Sequence, residues 1–215
     1  ARRAAEYKRA RLIFSDLDRL VKLGKNKLQI VFAGKAHPKD QTGKEIIREV
    51  VENANKLMGS VKIIFLENYN MWLGHLITSG VDVWLNTPRR LQEACGTSGQ
   101  KAALNGVINV SILDGWWPEG FNGLNGWVIG EESTSADAEA EDARDAGLLY
   151  ELLENDVVPR YYRRDEHGLP REWIGMMKAS IASVTPVFSA TRMVKEYCTR
   201  MYAPAGGYAR PPSGG

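Results

Sequence analysis

The sequence predicts an α/β fold in which a parallel β-sheet is covered by helices on both faces. Four short runs, at residues 28–33, 61–66, 81–85 and 107–113, are apolar almost throughout, as strands buried on both faces of a sheet are. Segments with helical spacing of apolar residues separate the first three runs, and alternation of strands and helices is typical of parallel sheets. The 215 residues are 44% hydrophobic, which is enough for a normal buried core.

The first part of the chain alternates helices with strands. Apolar residues recur at mostly helical intervals over the first helix, and Gly24 is a good residue to end it. The same spacing supports two later helices, and the strands are the continuous apolar runs. The predicted order is helix 6–23, strand 28–33, helix 42–57, strand 61–66, helix 69–77 and strand 81–85.

A glycine-rich loop separates the third and fourth predicted strands. After Pro88 a turn-rich stretch ends in GTSGQK at 96–101, and a short apolar helical turn precedes the strand at 107–113. An aromatic loop rich in Gly and Asn then leads into a short strand at 127–129. Ligands of open parallel sheets bind beyond the carboxyl ends of the strands, so the glycine loop lies where a site is expected.

The C-terminal part is predicted to be a linker followed by helices. Residues 131–147 are small and acidic, and we expect an exposed linker that enters a helix. Segments 171–184 and 189–202 carry apolar stripes at helical spacing, with Ser189 as the N-cap of the last helix. We expect their Met and aromatic side chains in the core. The Pro- and Gly-rich end, 205–215, is expected to be disordered.

Composition excludes several classes of function. The 28 basic and 26 acidic residues nearly cancel, without a run of like charge that would indicate a nucleic-acid or anionic membrane surface. No apolar stretch approaches the roughly 20 residues that span a bilayer. Cys95 and Cys198 are far apart and the three histidines are scattered, which argues against a disulfide framework and a metal site. These features predict a cytoplasmic protein without nucleic-acid, membrane or metal partners.

The segment richest in chemistry is the glycine loop with its two hydroxyls. Backbone N–H groups at the start of a helix bind anions, and the helix dipole strengthens that binding. The alternative is that Thr97 and Ser98 merely cap the helix and that Lys101 is an ordinary exposed lysine. A nucleotide P-loop is excluded, because Gly96 and Gly99 are too close together and no hydroxyl follows the lysine.

Several motifs, in the same order, resemble those of the α-glucan phosphorylases, especially the short forms without long regulatory insertions. EACGTSGQKAALNGVINVSILDGWWPEG at 93–120 resembles their cofactor loop, and RRAAEYKR at 2–9 resembles their basic helix. FLENYN at 65–70 resembles the strand and turn beside the cofactor pocket. Three further segments resemble the closing helices of the family, at 152–164, 171–183 and 188–197.

The resemblance implies that residues 1–204 form the C-terminal, cofactor-carrying lobe of a two-lobe glycosyltransferase of the GT-B fold, with a Rossmann-like sheet and closing helices. The N-terminal lobe is then absent. A start at Ala1, inside a helical pattern and without an initiator Met, also indicates a fragment. The fragment alone is expected to have little or no activity.

The implied activity is phosphorolysis of terminal α-1,4-linked glucose. The substrate is glycogen, starch or maltodextrin, and the product is glucose 1-phosphate with retained configuration. The implied partners are therefore the glucan, inorganic phosphate and the N-terminal lobe, and a homo-oligomer is left open. A site for two neighbouring phosphate groups requires a dense set of cations and N–H donors.

The implied cofactor is pyridoxal 5′-phosphate. Lys101 stands where the family's lysine is linked to the cofactor, a role that suits a lysine in a partly desolvated pocket. The resemblance implies that the cofactor's phosphate assists acid and base catalysis. Tyr69 borders the implied pocket. The phosphate is expected to be held by the glycine loop and one cation, namely Gly96, Thr97, Ser98 and Arg2.

The implied substrate contacts come from the same match. Arg3 and Lys8 stand where the family binds the substrate phosphate, and with Lys101 they are the implied catalytic residues. If the resemblance is set aside, the basic residues of segment 2–9 indicate only an ordinary solvent-exposed helix face. The glucose contacts are expected from the following residues: Tyr7, Glu93, Cys95 and Gly96.

The chain departs from the family pattern at three positions. Ala5 replaces a common histidine, Asn70 a common arginine and Gln100 the usual methionine. Contacts to the cofactor at the first two positions are therefore open.

Two other functions compete with the phosphorylase. The first is a sugar-nucleotide glucan synthase of the same two-lobe architecture, which needs a basic pocket but no pyridoxal phosphate. The second is a noncatalytic remnant that binds carbohydrate or a partner through the aromatic loop around Trp116, Trp117 and Trp127.

Overall fold

The computed structural model describes residues 1–131 and 137–207 of the 215-residue chain. Within these residues five short strands are all parallel to their neighbours: β1 (Gln29–Ala33), β2 (Lys62–Leu66), β3 (Val83–Asn86), β4 (Ile108–Ile112) and β5 (Gly126–Ile129). Each coincides with a predicted strand to within about two residues at either end. Continuous apolar runs between turn residues are a strong strand signal, which explains the agreement.

The helices of the described ranges alternate with these strands and then close the chain. They are α1 (Leu17–Gly24), α2 (Gln41–Lys56), α3 (Met71–Gly80), α4 (Thr97–Leu104), α5 (Trp117–Gly120), α6 (Ala138–Leu152), α7 (Val158–Tyr162), α8 (Arg171–Phe188), α9 (Ala190–Tyr197) and α10 (Ala203–Ala205). Side-chain oxygens accept from first-turn N–H groups at the starts of α1, α2, α3, α6 and α9, from Asp16, Asp40, Asn70, Asp137 and Ser189. The cap predicted at Ser189 is thereby confirmed.

The single helix predicted over residues 6–23 is wrong. The segment consists of two 3₁₀ turns, Glu6–Lys8 and Leu12–Phe14, before α1 begins at Leu17. Arg9 has φ 46° and ψ 47°, a left-handed conformation that an α-helix cannot contain. Its guanidinium is buried against the loop after β3, so tertiary contacts override the local helical pattern.

The strands form two separate parallel sheets. One contains β1 and β2, and the other contains β3, β4 and β5 in that order. The predicted class, parallel strands flanked by helices with closing helices at the C-terminal end, is confirmed. A single continuous sheet is not observed, because β1 and β3 do not pair with each other and an apolar cleft lies between them.

The core is centred on β4, whose five residues are all buried. Tyr150 of α6 packs into the same apolar cluster, and its hydroxyl donates to the carbonyl oxygens of Ile13 at 2.6 Å and Asp16 at 2.8 Å. Burying each large apolar side chain contributes about 1.5–3 kcal/mol. These contacts join the N-terminal segment to α6 and thereby hold the residues that precede β1.

The exposed acidic linker predicted over 131–147 is wrong for its second half. Residues 138–147 belong to α6, and Glu141 and Asp145 are 4% and 0% exposed. The physical reason is that buried arginines face this helix and require carboxylates beside them. Residues 132–136 and most of the predicted disordered tail, 208–215, lie outside the described residues.

The closing helices are present, but the stripe of α9 does not lie in the core. Met193 and Tyr197 are 48% and 44% exposed, and Met201, in the π-helical turn Cys198–Tyr202 that follows α9, is 57% exposed, so the prediction of a core position is wrong for them. On α8, by contrast, Trp173 and Val184 are buried. None of the described helices is long and apolar enough to cross a bilayer.

Candidate functional site

Arg2 is held at the carboxyl end of β3. Its Nη1 donates to Oδ1 of Asn86 at 3.1 Å, and its Nη2 donates to the carbonyl oxygen of Leu85 at 2.6 Å. Burial lowers the pKa of Arg2 to about 10, with opposing contributions from the negative charge of Glu93 and from Tyr7. The guanidinium therefore remains cationic at neutral pH and places one fixed positive charge at this end of the sheet.

Lys8 and Glu93 form an ion pair that joins two distant parts of the chain. The ammonium of Lys8 contacts Oε2 of Glu93 and lies 4.9 Å from the centroid of the Tyr7 ring. The two charged side chains are 14% and 8% exposed. The structure thus brings together Tyr7, Lys8 and Glu93, three of the residues predicted from the sequence to bind substrate.

Asp114, which the sequence analysis missed, positions the Glu93 loop. Its Oδ2 accepts from the backbone N–H groups of Gln92 at 3.1 Å and Glu93 at 2.8 Å. The N–H of Trp116 donates to the carbonyl oxygen of Cys95 at 2.8 Å. Asp114 follows β4 and Asn86 ends β3, so the rule that sites form at the carboxyl ends of strands could have identified both.

The glycine loop leads directly into α4. Gly96 has φ 83°, the left-handed conformation, and Thr97 and Ser98 are the first two helical residues. No side-chain capping hydrogen bond is made at this helix start, so the simple capping role does not describe the two hydroxyls. A Cβ on Gly96 would lie 3.6 Å from Cγ of Glu93, which puts the loop beside the Lys8 ion pair.

Lys101 lies in the last turn of α4 and is exposed. The described residues do not cover that face of the helix, so the partly desolvated pocket expected around Lys101 stays a prediction. Its neighbour Ala102 is fully buried in a small apolar cluster against which Tyr69 packs. Arg3 is also exposed. Arg2, Lys8 and Glu93, by contrast, are joined by contacts: Nη1 of Arg2 donates to the carbonyl oxygen of Lys8 at 3.4 Å, and Lys8 pairs with Glu93.

Tyr69 and Asn70 lie at the start of α3. The Tyr69 hydroxyl is so close to the backbone of Gly74 that a Cβ there would be 2.8 Å from it. Oδ1 of Asn70 accepts from the N–H of Leu73 at 2.9 Å. Asn70, which departs from the family pattern, thus serves as the helix cap.

A buried ionic network connects α6 to the two segments that carry Lys8 and Glu93. Arg9 and Arg90 both donate to Oδ2 of Asp145, at 2.8 Å and 2.7 Å. Both arginines also donate to backbone carbonyl oxygens, Arg9 to the loop after β3 and Arg90 to the end of β5 and the residues that follow it. The N–H of Arg89 donates to the carbonyl oxygen of Tyr7 at 2.6 Å. The turn that carries Lys8 is therefore fastened to the loop that leads to Glu93.

The aromatic loop is part of the core, not an exposed binding surface. Trp116, Trp117 and Trp127 are 4%, 1% and 7% exposed. Trp116 and Trp117 pack on each other with ring centroids 5.0 Å apart, and Nε1 of Trp117 donates to the carbonyl oxygen of Trp127 at 3.1 Å. The hypothesis that these rings bind carbohydrate or a partner is therefore wrong.

Close packing of α4 on β4 predicts a strict requirement for Gly99. A Cβ on Gly99 would lie 2.7 Å from Oδ1 of Asn109 and 2.9 Å from Nε1 of Trp116, closer than side-chain carbons pack. We expect Gly99→Ala to lower the free energy of unfolding by about 1–3 kcal/mol, measured by urea denaturation. Gly175→Ala on α8 is the control, because open space surrounds that position. A gain of up to about 1 kcal/mol is expected there from helix propensity; equal effects at both sites would contradict this packing.

The comparison with protein families matches the part of the chain that holds the site. The model of the carbohydrate phosphorylase family matches residues 1–118, which is more than half of the 215 residues. The matched region includes every candidate binding and catalytic residue, from Arg2 to Lys101.

Curated relatives extend the similarity over nearly the whole chain. A maltodextrin phosphorylase of Thermococcus litoralis is 52% identical over 208 residues, covering 95% of this chain and 24% of the relative. A glycogen phosphorylase of Aquifex aeolicus is 48% identical over 206 residues, covering 94% of this chain and 29% of the relative. A glycogen phosphorylase of Mycobacterium tuberculosis is 45% identical over 208 residues, covering 95% of this chain and 24% of the relative.

The extent of these matches decides what they establish. This chain spans about a quarter of the length of these relatives. The family model covers the N-terminal segment, the strands β1 to β4 and the glycine loop, and Arg2, Lys8 and Glu93 converge within this region. The chain belongs to the carbohydrate phosphorylase family.

Proposed function

We propose that this chain is the cofactor-carrying part of a glucan phosphorylase, which transfers terminal α-1,4-linked glucose to inorganic phosphate with retention of configuration. The observation that carries this proposal is the convergence of Arg2, Lys8 and Glu93 beside the N-terminal end of α4. Cations and helix N–H groups bind phosphate, and a carboxylate accepts hydrogen bonds from sugar hydroxyls. The named relatives, which are maltodextrin and glycogen phosphorylases, support a glucan substrate and argue against a sugar-nucleotide synthase.

The donors at the start of α4 fit pyridoxal 5′-phosphate. The left-handed Gly96 and the first helical turn leave backbone N–H groups without intrahelical partners, and Thr97 and Ser98 add hydroxyls. Arg2 supplies the cation for the cofactor's phosphate. Thr97 and Lys101 are four residues apart in one helix, so the hydroxyl and the amine lie on one face. Lys101 would hold the cofactor covalently, and Tyr69 would border it.

The bound cofactor supplies a phosphate group that acts as acid and base. The substrate phosphate must lie beside it, and two such anions repel unless cations surround them. Arg2, Arg3 and Lys8 provide three positive charges in one segment at the end of the sheet. We assign Arg3 and Lys8 to the substrate phosphate, which would hold it next to the cofactor.

The Lys8 ion pair links phosphate binding to sugar binding. While Glu93 neutralises Lys8, the lysine attracts an anion less strongly. An arriving phosphate would replace Glu93 as the partner of Lys8, and the carboxylate would then accept from a glucose hydroxyl. Tyr7, with the backbone of Cys95 and Gly96, would complete the glucose contacts. The exposed position of Lys101 fits an enzyme whose N-terminal lobe covers this face.

Several properties of the parent enzyme belong to the same proposal. Catalysis would require the N-terminal lobe, so this chain alone is expected to have little or no activity. We propose a cytoplasmic location, in keeping with the exposed and unlinked thiols of Cys95 and Cys198. A homo-oligomer stays a prediction.

Reductive labelling tests the cofactor assignment. The purified chain is mixed with pyridoxal phosphate, its absorbance is recorded, and the product is reduced with borohydride and mapped by peptide mass spectrometry. We expect Lys101 to be the dominant labelled residue and Lys101→Ala to lose that label. Lys56→Ala is the matched control, because Lys56 is likewise an exposed lysine in the last turn of a helix. A label spread evenly over surface lysines, and unchanged in Lys101→Ala, would contradict the assignment.

A further inference from the structure

The Glu93 loop, defined as residues 91–95, is held by the chain segment that follows β4. Oδ2 of Asp114 accepts hydrogen bonds from two backbone N–H groups of this loop, at 3.1 Å and 2.8 Å. The N–H of Trp116 donates to the carbonyl oxygen of Cys95 at 2.8 Å. Between them, Gly115 has φ 60°, and a Cβ there would lie 2.5 Å from that carbonyl oxygen. The glycine therefore permits the close approach of the two segments.

The side chains of the Glu93 loop contribute little to fixing it. Leu91 is 86% exposed, and Gln92, Ala94 and Cys95 are exposed as well. A segment with few buried contacts moves readily unless hydrogen bonds hold its backbone. The hydrogen bonds from segment 114–116 therefore decide where the backbone of this loop lies, and with it the carboxylate of Glu93.

The two oxygens of Asp114 serve different segments. Oδ1 accepts from the N–H of the next residue, Gly115, at 2.9 Å, which stabilises the turn of Asp114 itself. Oδ2 accepts from the Glu93 loop. The residue is 8% exposed, and a buried carboxylate requires hydrogen bonds to its charge. The N–H groups of the loop supply part of that requirement, so the buried charge of Asp114 ties the loop to the end of β4.

The position of Glu93 matters because its carboxylate is the partner of Lys8. The two side chains are 8% and 14% exposed, so water screens their attraction only in part. Forming an ion pair costs the conformational freedom of both partners, and that cost is smaller when the backbone of one partner is already fixed. If the Glu93 loop were loosened, Lys8 would be without its carboxylate partner more often and would attract another anion more strongly.

We propose that Asp114 is a positioning residue that sets the phosphate affinity of the empty site. By fixing the Glu93 loop, it keeps the carboxylate against Lys8, and phosphate must compete with that carboxylate until a sugar hydroxyl engages it. The inference rests on the proposed function, in which phosphate binds at Arg3 and Lys8. It predicts an unusual sign, because loss of Asp114 should strengthen phosphate binding although it damages the site.

A direct effect of charge is the competing explanation for such a sign. Replacing Asp114 by asparagine removes one negative charge near the site, and this alone would attract an anion. The direct effect does not depend on which side chain stands at position 93. An effect that acts through Glu93, by contrast, disappears when Glu93 no longer carries a charge. A double-mutant cycle of the two residues therefore separates the two explanations.

Titration with inorganic phosphate at constant ionic strength tests the proposal. Calorimetry measures the association constant for this chain, for Asp114→Asn, for Glu93→Gln and for the double variant. Asparagine has one acceptor oxygen instead of two, so it cannot serve both its own turn and the loop. We expect Asp114→Asn to raise the association constant by about fivefold. In the Glu93→Gln background the same substitution should change it by less than about twofold.

Asp165→Asn is the matched control. Oδ1 of Asp165 likewise accepts from two backbone N–H groups, those of His167 at 2.9 Å and Leu169 at 2.8 Å, but in the loop that leads into α8. Its replacement should leave phosphate affinity unchanged. A second measurement needs no phosphate: NMR of the Lys8 ammonium should show faster proton exchange in Asp114→Asn than in the parent chain. Amide protection of Val110 in β4 reports that every variant is folded.

Two results would overturn the proposal. One is an equal rise in phosphate affinity with and without Glu93, which would identify a direct effect of charge. The other is a folded Asp114→Asn chain in which neither phosphate affinity nor the Lys8 ammonium changes. If none of the chains bound phosphate but Asp114→Asn released Lys8, the positioning by Asp114 would be supported, and the phosphate site of the proposed function would be overturned instead.

Discussion

Asp145→Asn is expected to lower the free energy of unfolding by about 3–5 kcal/mol. The carboxylate is fully buried and accepts hydrogen bonds from Arg9 and Arg90, which are themselves 5% and 4% exposed. An asparagine keeps the shape but removes the negative charge, so two buried guanidinium groups lose a shared counter-ion. Glu141 still pairs with Arg90 in the variant, so Arg90 contributes less to the loss of stability than Arg9 does. Urea denaturation of the variant and the parent chain measures the difference.

The control for this change is Asp142→Asn. Asp142 is a neighbour in α6 that also pairs with Arg9 and Arg89, but its side chain is 39% exposed. Water screens such a pair, and we expect a loss below about 1 kcal/mol. If the two variants were equally stable, burial of Asp145 would not be what holds the network together.

Trp117→Ala is expected to cost about 3–5 kcal/mol of stability. The indole is 1% exposed, its N–H donates to the carbonyl oxygen of Trp127, and its ring centroid lies 5.0 Å from that of Trp116 and 5.4 Å from that of Phe121. Truncation leaves a cavity under β5 and removes the donor of a buried carbonyl group. Chemical denaturation followed by far-ultraviolet circular dichroism measures the loss without relying on tryptophan fluorescence.

Trp72→Ala provides the contrast. Trp72 lies on α3 and is 68% exposed, so its removal should change the stability by no more than about 0.5 kcal/mol. A large loss for Trp117 and none for Trp72 is the result expected if the aromatic loop is core. If Trp117→Ala were as stable as the parent chain, the conclusion that the aromatic loop is part of the core would be contradicted.

The parts of the site differ in how far sequence could predict them. The glycine loop was located correctly because it lies between two strands with strong apolar signals, and GTSGQK is a specific motif. Asp114 and Asn86 were missed although both lie at strand ends. The ion pair between Lys8 and Glu93 has no local signature at all, because its members are far apart in sequence and meet only when both segments lie at the same end of the sheet.

The same distinction explains the errors. Helical spacing over residues 6–23 was real, but the buried contacts of Arg9 force a left-handed residue into the segment. The acidic composition of 131–147 was real too, yet it cannot reveal which carboxylates face buried arginines. The spacing of apolar residues reflects only the helical tendency of one segment. The ionic network depends on three segments that meet in the fold, namely the N-terminal segment, the loop after β3 and α6.

The sequence by itself determined the α/β class, the positions of the five strands and the family, because each follows from local runs of residues and from motifs in a set order. Only the tertiary structure decided which charges are buried, which cations converge with Glu93 and where the strand layer is open. These features depend on distances between segments that lie far apart along the chain. An unpaired charge or an unpaired backbone group costs much free energy only where it is buried, and burial is decided by the tertiary structure.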